Sequence, residues 1–105
     1  MGTNYFAVKN KPTIEEPIHI GKSSIGWRFL FHSCEWFEDY VEFLKFIIGK
    51  VDTGEYVILD EYDRQVRAID LVRMIEEKQK TNNEDDFHYG VMNKNGYRFS
   101  DGWFR

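Results

Sequence analysis

The sequence predicts an α+β fold, a mostly antiparallel sheet packed against one long and one short helix, in a single domain over residues 1–105. Three observations predict this class: β-rich runs near both ends of the chain, two helical apolar stripes between them, and an Asn95-Gly96 pair typical of a type I′ hairpin. A chain of 105 residues with 42% apolar content can bury one core without disulfides. The sequence shows no internal repeat.

Strands are predicted where β-rich runs alternate between turn signals. The first run covers Asn4 to Lys9, and the proline-containing segment after it excludes helix. Two strands joined by a polar turn at 21–24 follow, and in the second of them one face holds Ile25, Trp27, Phe29 and Phe31. A further strand spans 56–59, and the closing hairpin turns at Asn95-Gly96.

Helices are predicted where apolar residues recur at spacings of three and four. The long helix has the stripe Phe37, Tyr40, Val41, Leu44, Ile47 and Ile48. Ser33 is its expected N-cap and Gly49 its expected end. Trp36, Phe43 and Phe46 widen the apolar surface beyond one stripe, which makes them candidates for a protein-binding face. The shorter helix has the stripe Ala68, Leu71, Val72 and Ile75.

Charge, cysteine content and hydropathy limit the class of protein. The net charge of −4 argues against broad binding to nucleic-acid phosphates. The single cysteine, Cys34, cannot form an intramolecular disulfide and fits a reducing compartment. The opening "MGTNYFAVKN" lacks the apolar core of a signal peptide, and no apolar run reaches the roughly 20 residues that span a bilayer. We therefore expect a cytoplasmic protein with no membrane partner.

Gly21-Lys22-Ser23 is similar to the end of a phosphate-binding loop. A Walker A loop would need glycine where Glu16 stands and a helix directly afterwards, whereas the following residues alternate as a strand. This mismatch excludes a nucleoside-triphosphatase loop. Two interpretations remain: a solvated hairpin turn, or a turn whose backbone N–H groups bind phosphate together with Lys22, Ser23 and Ser24.

Aromatic side chains and arginines near the third strand and the chain end could complete such a site. Trp27 and Trp103 could stack on a base, and Arg28 could contact a phosphate. The same residue types dominate protein interfaces, and aromatic rings also fill sheet–helix cores. All three roles stay open. The candidate ligand-binding set is Lys22, Ser23, Ser24, Trp27, Arg28 and Trp103.

Neither metal binding nor catalysis is predicted. The potential zinc ligands match no ligand spacing; they are His19, His32, His88 and Cys34. The potential acid–base carboxylates fit a polar turn equally well; they are Asp60, Glu61 and Asp63. A helix N-terminus would activate the Cys34 thiol, but a small buried thiol is the commoner fate. We predict a protein that is not an enzyme and needs no cofactor.

Three stretches of the chain match a known pattern: "MGTNYF" at the start, "HIGKSSIGWRF" at 19–29 and "LDEYDRQV" at 59–66. They resemble an uncharacterised family of small bacteriophage proteins, whose pattern opens with Gly-Thr-Asn-Tyr-Tyr and continues through His-Ile-Gly-Lys-Ser-Ser. Many members carry a Cys-x-x-Cys pair where this chain has "KNKPTIEEP", so their metal site is not expected here. The resemblance implies phage origin and action in the bacterial cytoplasm, without a known activity.

Phage genomes encode many small domains that blunt host defence, and we therefore expect a non-enzymatic antagonist of bacterial defence. One mechanism sequesters a nucleotide signal at the Lys22 turn. The alternative binds a host or defence protein through Trp36, Phe43 and Phe46. An exposed aromatic flank on a small domain also leaves a homodimer open.

Overall fold

A computed structural model describes residues 2–24, 28–80, 91–94 and 97–100, and within them it confirms the α+β class. The strands are β1 (Gly2–Lys9), β2 (Ile18–Ser24), β3 (Leu30–His32), β4 (Tyr56–Asp60), β5 (Gln65–Val66), β6 (Val91–Lys94) and β7 (Tyr97–Ser100). They form one sheet in the order β5-β4-β1-β2-β3-β7-β6. All neighbouring strands pair antiparallel except β3 and β7, which pair parallel. The predicted mostly antiparallel sheet is therefore confirmed.

The first helix, α1 (Tyr40–Phe46), runs directly into a π-helical segment (Ile47–Val51), and the second helix is α2 (Ala68–Lys78). The predicted N-cap at Ser33 is wrong. Asp39 caps α1, because its Oδ1 accepts a hydrogen bond from the Glu42 N–H at 2.8 Å. Before it, the backbones of Cys34 and Phe37 bond to each other and close a tight turn, so helix cannot form there. No helix in the described part of the chain is long and apolar enough to cross a membrane.

Both helices pack on one face of the sheet. Phe31 of β3 lies at the centre of this core, stacked on Phe99 at a ring-centroid distance of 4.6 Å and edge-on to Phe43 of α1 at 5.0 Å. Leu71 and Ile75 carry the buried stripe of α2, as predicted. This cluster holds the sheet and both helices in one hydrophobic core.

Two residues of the predicted protein-binding face belong to this core. Phe43 and Phe46 are only 0% and 5% exposed, because α1 turns them towards the sheet. They are core residues, so they do not form the exposed aromatic patch that the sequence suggested. Trp36 is 38% exposed and lies in the turn that precedes α1.

The C-terminal hairpin and part of the third strand also follow the prediction. β6 and β7 pair antiparallel, with Lys94 opposite Tyr97, while the predicted turn at Asn95-Gly96 lies outside the described residues. Phe29 and Phe31 are buried as expected. Their predicted partners on that face, Ile25 and Trp27, lie outside the described residues.

The opposite face of the sheet carries a second set of apolar side chains. Ala7 and its cross-strand partner Ile58 point into the core, so their neighbours along β1 and β4 point the other way. These neighbours are half-buried and include Phe6, Val8, Val57 and Leu59. Phe6 lies opposite His19 of β2, which places an imidazole on the same face.

Candidate functional site

Two adjoining cavities form an extended concave surface in the described part of the chain. One, of about 910 Å³, follows the second face of β1 to the turn at residues 60–63. The other, of about 570 Å³, lies beside residues 34–36 and 55–56. Both are lined by Glu16, Pro17, His19 and His32, so they meet there. We call the joined cavities the trough.

A row of rings forms the middle of the trough. The Phe6 and His19 rings lie 5.2 Å apart, and the His19 and His32 rings 5.1 Å apart. His19 is further held by Asn4, whose Oδ1 lies 2.8 Å from His19 Nε2. The row therefore crosses the neighbouring strands β1, β2 and β3. No sequence pattern predicted this row, because only the pairing of strands in the sheet brings His19 and His32 together.

The walls of the trough are acidic. The carboxylates that line it belong to Glu15, Glu16, Glu35, Glu55, Asp60, Glu61 and Asp63. Among the described lining residues, Lys9 is the one lysine or arginine. Its Nζ lies 3.4 Å from Glu55 Oε1, and Lys50 Nζ lies 3.2 Å from Glu55 Oε2. Hydrogen bonds from Lys50 and Lys9 lower the pKa of Glu55, which stays charged.

A tight turn after β4 positions the carboxylates at one end of the trough. Asp60 Oδ1 accepts hydrogen bonds from the N–H groups of Tyr62 and Arg64, at 2.8 and 3.0 Å, and its Oδ2 accepts from Arg64 Nε. Burial would raise the pKa of Asp60, but these hydrogen bonds hold it below its usual value. Asp63 takes the left-handed conformation, with φ of 62°. The predicted polar turn is therefore confirmed, and the Asp60 carboxylate stabilises it through these hydrogen bonds.

Aromatic rings that attract cations form the other end of the trough. The rings of Trp36 and Tyr56 have centroids 6.2 Å apart. Lys50 Nζ lies 5.7 Å from the Trp36 ring centroid, and Lys9 Nζ lies 5.2 Å from that of Tyr56. Of the predicted interface set, Trp36 is thus the member that reaches this site.

The predicted phosphate-binding turn is a strand. Gly21 to Ser24 belong to β2, and Lys22 pairs with Asn4 on one side and Leu30 on the other. The sheet ladder uses the backbone groups that an anion-binding nest would need, so the turn interpretation is wrong. Lys22 is not among the residues that line the trough. The carbonyl of Ser24 accepts a hydrogen bond from Lys78 Nζ at 2.7 Å.

The rest of the predicted ligand set is not brought together by the described structure. Arg28 is half-buried, and its carbonyl accepts a hydrogen bond from Arg98 Nη1 at 3.3 Å. Trp27 and Trp103 lie outside the described residues. Ser23 lies opposite Thr3 in the β1–β2 pair.

Cys34 lies in the wall of the trough without features of an activated nucleophile. It lies before α1, which begins only at Tyr40, so activation by a helix N-terminus, which the sequence did not favour, does not arise. Burial raises the pKa of its thiol, which favours the uncharged form. Within the described ranges, no three histidine, cysteine or acidic side chains are arranged to hold a metal ion.

No family model matches this chain, and no curated protein or solved structure matches it either.

Proposed function

We propose that this protein antagonises bacterial defence in the host cytoplasm by binding a defence or host protein, without catalysing a reaction. The observation that carries this proposal is the trough, an extended surface that combines apolar side chains, rings and carboxylates. The resemblance of residues 19–29 and 59–66 to small phage proteins supports the biological setting.

The charge of the trough favours a protein partner over a nucleotide. Phosphate groups entering it would meet Glu16, Glu61 and Asp63 at short range, and repulsion would oppose binding. A protein partner can instead present cations to these carboxylates and cover the apolar floor. Exposed Trp36 adds a residue type that commonly anchors protein interfaces.

Sequestration of a nucleotide remains the second candidate function, carried by the position of Lys22. Lys22 pairs with Asn4, so its side chain lies on the same sheet face as His19. Calorimetry with cyclic and linear nucleotides tests this candidate. We expect no saturable heat up to about millimolar ligand, which corresponds to about −4 kcal/mol. Saturable heat that disappears in Lys22→Ala would establish the nucleotide function instead.

A plating assay tests the principal proposal. Bacterial strains that each carry one defence system are infected with a phage which that system restricts, with and without expression of the protein. Restored plating in at least one strain is expected. Unchanged plating in every strain, with the protein shown to be folded and expressed, would contradict the proposal.

Paired variants link the phenotype to the trough. Glu16→Gln with Asp63→Asn removes two exposed wall charges, and Asp52→Asn with Glu77→Gln removes the same charge from the exposed surface elsewhere. The first pair should lose the restoration of plating and the second should retain it. Equal behaviour of both pairs would separate the antagonist function from the trough.

A further inference from the structure

We infer that the trough binds an extended lysine- or arginine-rich segment of the partner protein. This inference deepens the proposed function and rests on it, because it specifies the chemistry of the partner at the same site. It follows from three independent properties of the trough: its charge, its shape and the behaviour of its rings towards cations.

Basic side chains of the described residues balance only part of the negative charge of the trough. Glu55 and Asp60 have basic partners, namely Lys9 and Lys50 for the former and Arg64 for the latter. Within the described residues, the other wall carboxylates form no ion pair; they are Glu15, Glu16, Glu35, Glu61 and Asp63. A negative potential concentrated in a concave surface attracts cationic groups and speeds their association.

The shape of the trough suits a chain segment. Each cavity alone, at about 910 and 570 Å³, has the volume of a typical small-molecule pocket. Joined at His19 and His32, they form a longer surface that passes from the Asp60 turn to Trp36. The apolar floor at Phe6, with the walls above it, fits the aliphatic stems of lysine and arginine while their charged ends reach the carboxylates.

The rings at one end of the trough already attract ammonium groups. Lys50 approaches Trp36, and Lys9 approaches Tyr56, both at distances typical of cation–π contacts. Glu35 lines the same cavity as Trp36 and Tyr56 and supplies a carboxylate there. Tyr56 is buried, so a lysine or arginine of the partner would compete with Lys50 for the exposed Trp36 ring. It would also meet the Glu35 carboxylate beside that ring.

Fluorescence anisotropy with labelled octalysine, and with octaglutamate as the opposite charge, tests the inference on the full chain. The variants are the trough pair Glu16→Gln/Asp63→Asn and the charge-matched pair Asp52→Asn/Glu77→Gln. The side chains of Glu16 and Asp63 are exposed and make no described hydrogen bond, and asparagine tolerates the positive φ of Asp63, so folding should be preserved. Urea denaturation of each variant verifies this.

We expect octalysine to bind the wild type in a salt-dependent manner and octaglutamate not to bind. The trough pair should weaken binding about tenfold, as expected for the loss of two exposed charge interactions, and the matched pair should leave it unchanged. Glu61→Gln keeps the acceptor for the Asn4 N–H and removes a third charge, so it should weaken binding by itself.

Absence of octalysine binding, equal weakening by both pairs, or no weakening by the trough pair would each overturn the inference. None of these results would contradict the proposed function that the plating assay tests, because an antagonist could bind its target through another surface. Conversely, octalysine could bind the wild type and not the trough pair while expression of the wild type restores plating in no strain. That result would contradict the proposed function and would leave the inference about the trough standing.

Discussion

His19 Nε2 lies 2.8 Å from Asn4 Oδ1, and the two residues are only 6% and 7% exposed. The contact joins β2 to β1 beneath the trough. It fixes the His19 ring in the row that continues to Phe6 and His32. The floor of the trough is therefore part of the folded framework, and a partner meets a preformed surface.

Asn4→Ala should destabilise the protein because it removes the Oδ1 that contacts buried His19. Loss of a partner for a buried polar group costs about 1–3 kcal/mol of unfolding free energy. Urea denaturation measures the change. Asn10→Ala is the control. The exposed Asn10 side-chain amide donates to the Gly54 carbonyl at 3.2 Å, and loss of this hydrogen bond should change the unfolding free energy little. Equal denaturation midpoints for the two variants would contradict this role of Asn4.

Gly21→Ala should destabilise the sheet, whereas Gly49→Ala should stabilise the helical segment. A Cβ at Gly21 would collide with the Leu30 carbonyl and the Phe29 ring, and such overpacking costs about 1–3 kcal/mol. A Cβ at Gly49 would meet no atom within 4 Å, and alanine there should add about 0.5–1 kcal/mol of stability. Thermal unfolding of both variants measures the two shifts. A stable Gly21→Ala protein would show that β2 does not pack as described.

Phe43→Ala should cost about 3–5 kcal/mol of unfolding free energy, because it removes a fully buried ring from the core. Val41→Ala on the same helix should change stability by less than about 0.5 kcal/mol, since Val41 is 59% exposed. Urea denaturation compares them, with Phe43→Leu as the milder variant if the alanine protein does not fold. Similar costs at both positions would contradict the orientation of α1.

Stability should fall at alkaline pH because of a tyrosine pair. The hydroxyls of Tyr40 and Tyr97 donate to Glu76 Oε1 at 2.7 and 3.0 Å. Burial raises the pKa of both tyrosines above 10.0, and the hydrogen bond to Glu76 is the second cause of this increase. The folded state therefore holds phenolic protons that the unfolded chain releases. This stability is complete below about pH 10 and is lost as pH rises through the folded-state pKa.

Urea denaturation across the alkaline range measures this loss. Tyr40→Phe should flatten the decline, and exposed Tyr62→Phe should leave it unchanged. A decline as steep in Tyr40→Phe as in the wild type would contradict the contribution of the pair.

Local signals predicted the elements whose structure depends on nearby residues. The stripe through Leu71 and Ile75, the strand at Tyr56 and the turn at Asp60 follow from period and turn chemistry within a few positions. The start of α1 was predicted wrongly. Phe37 continues the apolar spacing of the helix, but it lies in the preceding turn, where its backbone pairs with that of Cys34 and its side chain is buried. The residue that caps α1 is Asp39, and not the predicted Ser33.

The trough depends on long-range pairing and could not be predicted. Gly21 to Ser24 have turn composition, yet β1 and β3 recruit them into the sheet. His19 and His32 have no informative spacing and meet through strand order alone. The aromatic surplus indicated a binding surface, but burial of Phe43 within the core could be assigned only from the folded chain.

Amide chemical-shift mapping of the ¹⁵N-labelled protein during titration with octalysine tests the central claim most directly. The account predicts that the largest shifts fall on Glu16, His19, His32 and Glu61, and that they saturate together. Shifts spread evenly over acidic residues outside the trough, such as Glu42 and Glu77, would contradict it.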